Sequence, residues 1–253
     1  MTPPRLQKPT EFTVRLDFHG DLTFFVRSTD LIQRQLTERT SVKDIIEACG
    51  VPHTEVDLIL IDDRPVDFGF VVERDSAIEI YPCSWQRPAL FPANRLQTRA
   101  IDQFIADGHL GKLVRDLRLL GVDVEYDRAA DDRQLVGSAE RSSRALLTRD
   151  RRLLMHSAVR HGYYLRSQNP LEQTHEVLRR FDLAIAPFTR CLRCNGRLEP
   201  AEKAEIVDRL EPLTKIHYQQ FRRCAKCGQI YWSGSHFSKL ERRLASLVDF
   251  SIT

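Results

Sequence analysis

At 253 residues with 42% hydrophobic content, the chain can bury one large core or two ordinary ones, and a third small module would need a staple. The opening Met1-Thr2-Pro3-Pro4-Arg5 leads into no apolar targeting segment, and no run of 18 apolar residues occurs, so a soluble cytoplasmic protein without a membrane span is expected. The net charge of +3 is uneven: residues 1–95 carry 11 Lys+Arg against 15 Asp+Glu, a net −4, whereas residues 96–253 carry 27 against 20, a net +7. A polyanionic partner would meet the second part, although a surplus of seven also fits ordinary solubility.

Phe12 to Phe18 alternates apolar and polar residues, His19-Gly20-Asp21 offers a turn, and Leu22 to Val26 continues, which predicts a hairpin. Ser41 is placed to cap a helix over Val42 to Cys49, with Asp44 three residues on and Gly50 at its end. Strands over Leu58 to Ile61 and Ala77 to Tyr81 complete a β-grasp arrangement, and the Pro-rich run Pro82 to Pro92 reads as a linker. Domain 1–82 and linker 83–98 follow from this reading.

From Gln103 short apolar runs alternate with helices. Phe104 to Ala106 ends at Asp107; Leu110, Leu113, Val114, Leu117 and Leu120 recur at spacing three and four; Val122 to Tyr126 is a strand. A helix from Asp132 to Arg141, strands Ala145 to Thr148 and Tyr163 to Leu165, and a helix from Leu171 to Phe181 follow. Repeated strand–helix units predict an α/β domain over 99–189, with a parallel sheet covered by helices on both faces. Residues 190–253 hold two cysteine pairs and close on a basic helix, Phe237 to Val248.

Open parallel sheets place ligand sites at the carboxyl ends of their strands. Asp107 follows the first strand of this domain, Asp150 follows Leu146-Leu147-Thr148-Arg149, and Asp131-Asp132 opens the helix between them. Carboxylates on adjacent loops can converge to bind Mg²⁺ or Mn²⁺ through hard oxygen ligands. The plainer reading is that Asp131 or Asp132 caps its helix and the others are turn residues. Arg149, Arg151 and Arg152 add donors for phosphate, or form a solvated charge run.

Cys191/Cys194 and Cys224/Cys227, each pair followed by Asn195-Gly196 or Gly228, fit a closed four-thiolate structural zinc site, a redox dithiol or iron–sulfur cluster being the alternatives. The 29 residues between the pairs require an inserted helix, near Ala201 to Leu210. His217 and His236 could substitute as ligands, but four cysteines already fill the sphere. Cys49 and Cys83 read as packing residues. Tyr231 and Trp232 could stack on unpaired bases, or simply cover a small ribbon. Gly-x-Ser-x-Gly, Walker and dinucleotide motifs do not occur.

Three stretches together, Phe104-Ile105-Ala106-Asp107-Gly108-His109-Leu110-Gly111-Lys112-Leu113, Leu117-Arg118-Leu119-Leu120-Gly121 and Leu146-Leu147-Thr148-Arg149-Asp150-Arg151, resemble the Mut-seven C-terminal RNase domain, a PIN-like nuclease family. Cys191-Leu192-Arg193-Cys194-Asn195-Gly196 and the run Cys224 to His236 are similar to the zinc ribbon of that family, and Ser41 to Glu47 with Val56 to Leu60 resembles the ubiquitin-like domain often fused to it. The resemblance implies a divalent-metal ribonuclease site, with Asp107 as first acid, Asp132 the middle acid with Asp131 its neighbour, and Asp150 the acid of the Thr-x-Asp motif. His109 and Asp116 stand where the family is usually apolar.

The expectation is therefore hydrolysis of RNA by water activated at Mg²⁺ or Mn²⁺ held by Asp107, Asp132 and Asp150, with Arg149 and Arg151 steadying phosphate and Tyr231 and Trp232 contacting bases. A non-catalytic RNA-binding adaptor built on the ribbon and basic surface is the alternative. A third reading has the acidic first domain dock a protein partner.

Overall fold

β1 (Phe12–Phe18) buries Phe12, Val14, Leu16 and Phe18 and turns the residues between them outward, the period-two signature of a strand with one face on a core. The computed structural model describes residues 11–27, 30–97, 100–234 and 237–249; His236 and the first five residues, both considered above, lie outside these. Described residues group into two compact units, one from 1–98 and 150–162, the other from 99–149 and 163–253.

In the first unit, β1 does not turn back at His19. A single 3₁₀ turn, Gly20–Leu22, leads into α1 (Thr23–Val26). The hairpin partner is β2 (Ile32–Leu36), antiparallel to β1. Leu22 and Phe25, three residues apart, are both buried, and Thr23 Oγ1 donates to Gly20 O at 2.9 Å; helical spacing outweighed the apparent alternation. After β3 (Thr40–Ser41), α2 (Val42–Ala48) buries Val42, Ile45 and Ile46 and starts where Ser41 Oγ accepts the Asp44 N–H. β4 (Val56–Ile61), β5 (Arg64–Val66), β6 (Val71–Val72) and β7 (Ser76–Pro82) complete a mixed sheet of order β2-β1-β7-β4-β5, with β3 and β6 paired separately. β1 and β7 run parallel at its centre.

The stretch expected to be a linker is tied to β4 instead. Its short 3₁₀ turns Arg87–Leu90 and Pro92–Asn94 lead to Arg95, which ion-pairs with the fully buried Asp57. Leu96 N–H donates to Asp57 O at 2.8 Å, and the Gln97 side chain donates to His53 O and Val56 O. The Asp57 carboxylate itself receives Arg95 and the Gln97 backbone N–H, at 3.0 Å, donors that offset its lost hydration.

The second unit opens with β8 (Gln103–Ala106), α3 (Gly111–Leu119), β9 (Asp123–Tyr126), α4 (Asp132–Ser142) and β10 (Ala145–Thr148). The short α5 (Arg151–Leu154), which lacks a long enough periodic pattern to be foreseen, lies in the first unit, as does Val159, whose carbonyl meets His53 Nε2 at 2.8 Å. β11 (Gly162–Tyr164) and α6 (Pro170–Phe181) follow. Strand order is β11-β10-β8-β9, with β10 and β9 both parallel to β8. One face of this sheet, Phe104, Ala106, Val124 and Leu147, packs on Leu113 and Leu117 of α3 and Val177 and Leu178 of α6. Burying Phe104 completely contributes about 1.5–3 kcal/mol. α4 packs on β8 and β10 with Leu135, Val136 and Ala139 buried.

β12 (Leu198–Ala201), α7 (Lys203–Ile206), α8 (Pro212–His217), β13 (Phe221–Cys224), β14 (Ile230–Trp232) and α9 (Phe237–Val248) complete the chain. The single helix expected near Ala201–Leu210 is broken: Leu198–Ala201 pairs with β13, and Pro212 starts a separate helix at its first turn. α9 delivers Leu247 to the sheet core, and its Arg243 ion-pairs with Asp116 of α3, Nε lying 3.0 Å from the carboxylate. That pairing accounts for an acid on an otherwise apolar helix face. Among the described residues no helix is long and apolar enough to cross a membrane.

Candidate active site and metal centre

β8 and β10 are adjacent and parallel, so the residues that follow them leave the same end of the sheet. Asp107 N–H still bonds Leu147 O at 3.0 Å, which extends the ladder one residue past β8. The half-buried Asp107 carboxylate accepts from Thr148 Oγ1 at 2.8 Å and from the His109 backbone N–H at 3.5 Å. Thr148 is fully buried. It thereby fixes the first acid from the neighbouring strand, a positioning role for which the sequence carries only the Thr-x-Asp spacing.

The two acids at the start of α4 separate into distinct roles. Asp131 is the cap: its Oδ1 accepts the Gln134 N–H at 2.8 Å while Gln134 Oε1 accepts the Asp131 N–H at 2.9 Å. This reciprocal box commits the Asp131 carboxylate to the helix. Asp132, the first helical residue, is exposed and its carboxylate has no hydrogen-bond or ion-pair partner among the described residues. Asp150 stands two residues beyond β10, exposed, and caps α5 through Oδ1 to the N–H groups of Arg152 and Leu153 at 2.7 and 3.4 Å.

The two arginines expected to meet phosphate are otherwise engaged. Arg149 donates to Ser167 O at 3.0 Å. Arg151 donates to Phe25 O at 3.0 Å and lies 5.6 and 5.0 Å from the ring centres of Phe24 and Phe25. Two aromatic faces and a carbonyl hold a guanidinium well, so Arg151 supports α1.

At the ribbon, all four cysteine Sγ atoms lie within 4.8 Å of one another. Cys191–Cys227 and Cys194–Cys224 are 3.7 and 3.4 Å apart; sulfurs at about 2.3 Å from a tetrahedral zinc would be separated by about 3.8 Å. These residues could hold a metal such as zinc. Among the described residues, no other group of three or more Cys, His, Asp or Glu ligand atoms is so close, and the acids at the strand ends form no such group. Burial pushes the Cys191 thiol up, but hydrogen bonds from Tyr231 and the backbone of Cys194 and Arg193 bring it down to about 7. Burial and the neighbouring thiols push Cys194 up to about 12. Four sulfurs this close cannot all shed protons without a cation between them.

Tyr231 serves this centre. Its hydroxyl lies 3.1 Å from Cys191 Sγ and accepts the Leu192 N–H at 3.2 Å. Tyr231 thus braces the first cysteine turn of a small ribbon. Trp232, 37% exposed, remains on the surface.

The first cysteine turn does not admit bulk. A Cβ on Gly196 would lie 2.7 Å from both Cys224 Sγ and Lys226 Cβ. Gly196→Ala is therefore expected to lower zinc affinity by about 10–100-fold, the range for groups that support metal ligands. Competition with a chromophoric chelator measures it; unchanged affinity would show that the turns have slack.

The first turn is also fastened to the sheet. Arg118, 4% exposed, donates from Nε and Nη2 to Val124 O and from Nη1 to the carbonyls of Leu192 and Arg193. Asn195 accepts the Val124 N–H at 3.1 Å and donates to Asp123 at 2.6 Å. Sequence patterning gave no signal for Arg118, which sits inside an amphipathic helix.

A parallel sheet with acids after its strands, followed by a four-cysteine ribbon, defines the class: an α/β domain with an appended module that could hold a metal. The chain belongs to the Mut7-C RNAse domain family, whose model matches residues 102–244, and residues 11–87 match the Mut7-C ubiquitin model. A search of curated proteins finds no match to the chain.

Proposed function

We propose that this protein is a divalent-metal-dependent ribonuclease that hydrolyses phosphodiester bonds at the end of β8 and β10. The observation that carries this reading is Asp107, held at a parallel strand end by the buried Thr148 hydroxyl, in a chain of a ribonuclease-domain family. Asp107, Asp132 and Asp150 would be the ligands of Mg²⁺ or Mn²⁺, and their carboxylate chemistry fits such hard cations. Mg²⁺ keeps several waters and takes only one or two carboxylates directly, so a tight group of three is not required. Bound there, the ion would activate water and stabilise the leaving oxygen.

The protein's own contributions are positional. Thr148 Oγ1 orients Asp107, and the Asp131 cap fixes the start of α4 so that Asp132 projects from a defined helical position. The basic surplus of residues 96–253 would attract the RNA backbone. The ubiquitin-like unit would serve a protein partner, and two Cys-x-x-Cys pairs gathered as metal ligands would suit a reducing compartment such as the cytoplasm.

One observation favours the second reading, an RNA-binding adaptor without catalysis: the three acids do not form a close ligand group. Incubating the full-length protein with 5′-labelled RNA separates the two. Cleavage with Mn²⁺ and none without it is expected; an inert protein that binds the same RNA would replace the ribonuclease reading with the adaptor.

A further inference from the structure

Between β9, α4 and the two cysteine turns of the second unit lies an open groove of about 990 Å³. Its charges are distributed unequally. Three acids line it, and each has a partner in the same unit. Asp123 receives Arg144 at 2.7 Å, Arg190 at 3.0 Å and the Asn195 amide, and these donors outweigh burial to hold its carboxyl below its ordinary value. Glu125 meets Arg144 at 3.2 Å, and Asp127 accepts the Ala129 N–H at 2.9 Å.

Four exposed cations on the same walls have no carboxylate partner among the described residues: Arg133 and Arg141 on α4, Arg193 in the first cysteine turn and Lys226 in the second. Arg141 makes one bond, to Ser138 Oγ at 3.3 Å. Each turn thus offers the residue just before its second cysteine to one groove. Unpaired like charges in a shared concavity repel one another, and a bound anion relieves this.

The spacing argues for a chain of phosphates over a single anion. Arg133 and Arg141 are eight residues apart, so their Cα atoms stand about 12 Å apart along the helix. Arg193 and Lys226 face them from the ribbon, whose position is fixed by Arg118 and Asn195. At one end the groove reaches Tyr126, whose hydroxyl donates to Gly108 O at 2.7 Å, beside Asp107.

We propose that this groove is the track for single-stranded RNA, in which Arg133, Arg141, Arg193 and Lys226 contact successive phosphates and lead the strand towards Asp107. The choice of RNA rests on the ribonuclease reading; the existence of a polyanion site rests on the groove. An open groove lined by cations tracks a backbone without reading sequence. The RNA-binding surface therefore includes both cysteine turns, and the metal centre shapes half of it.

The test uses full-length protein and a fluorescein-labelled 20-nucleotide single-stranded RNA, with no divalent ion added and affinity read by anisotropy across a salt series. Removing four phosphate contacts, in R133A/R141A/R193A/K226A, is expected to weaken binding at least tenfold and to flatten the log–log salt slope by about 3, since each contact on a single strand contributes about 0.7. Zinc content and the thermal transition are checked in parallel. The pair R133E/R141E, which leaves the cysteine turns untouched, should weaken binding further per site if the track is correct. An unchanged salt slope in both variants would overturn the proposal, as would a groove that binds poly-glutamate while RNA fails to displace it. Because binding is read without a divalent ion, a protein that loses RNA through these substitutions yet never cuts supports the groove and refutes only the ribonuclease reading. One that cuts RNA while both variants keep the wild-type slope refutes only the groove.

Discussion

Protein purified without added metal is expected to contain about one zinc per chain, because four thiolates in a closed tetrahedron have no open position and hold the ion structurally. The expected consequence of losing it is large. The ribbon's own apolar clusters are small, one of Ala201, Ile206, Leu210, Phe221 and Ile230 and one of Cys191, Leu198 and Cys224, too little to order β12 to β14 alone. Zinc bound to folded cysteine sites is worth about 10–16 kcal/mol near neutral pH, and that binding energy becomes folding energy here. Protons compete with the metal for the same sulfurs, so affinity falls as pH falls.

Chelation, or Cys224→Ser, should therefore accelerate amide exchange across Phe221–Trp232 while leaving Phe12–Phe18 in the other unit unchanged. A zinc content below a tenth per chain, with all cysteines intact and reduced, would overturn this assignment. So would a ribbon whose amides stay protected after the metal has gone.

What could be read in the sequence follows from the range of the interactions involved. β1, α2 and α9 were legible because their apolar residues repeat at period two or 3.6, β8 and β10 because short continuous apolar runs ending in polar residues mark strands buried on both faces, and the cysteine turns because ligand spacing is local. β2, Ile-Gln-Arg-Gln-Leu, carries three exposed residues in five; an edge strand with little apolar signal is fixed by its partner β1 and not by its own composition. The Pro-rich stretch after β7 read as a linker because its anchor, Asp57, lies about forty residues away in sequence.

The site shows the same division. Asp107 and Asp150 were legible as acids after apolar runs, but which of Asp131 and Asp132 is the cap is decided by the reciprocal bonds to Gln134. Arg151 looked like a phosphate donor among three arginines; only the fold brings Phe24 and Phe25 to it. The Tyr231 hydroxyl lies beside Cys191 because β13 and β14 bring the two together across forty residues of sequence. The groove could not be foreseen, since it joins α4 to turns some sixty and ninety residues further along.

The chemistry of the strand ends gives the second large effect. Asp107→Asn preserves size and can still accept from Thr148 Oγ1, yet it removes the negative charge that would hold a divalent ion. If metal stabilisation of transition-state charge is worth about 4 kcal/mol, the expected loss of Mn²⁺-dependent RNA cleavage is about a thousandfold. Asp150→Asn should lose a similar amount if it shares that ion, and the double variant should lose little more than either single one, because a site already empty of metal cannot be broken again. Stability should respond differently. Asp107→Asn can keep the Thr148 bond and gives up only the long 3.5 Å bond from the His109 N–H, whereas Asp150→Asn weakens the cap on the short α5 by at most about 1 kcal/mol, so neither loss of activity should coincide with unfolding. Thr148→Val offers the complementary measurement: it removes the hydroxyl that orients Asp107, at nearly constant volume, and should raise the Mn²⁺ concentration needed for half-maximal cleavage while saturating metal restores most of the rate. Cleavage that survives Asp107→Asn at wild-type speed, with the thermal transition unmoved, would remove this carboxylate from the mechanism.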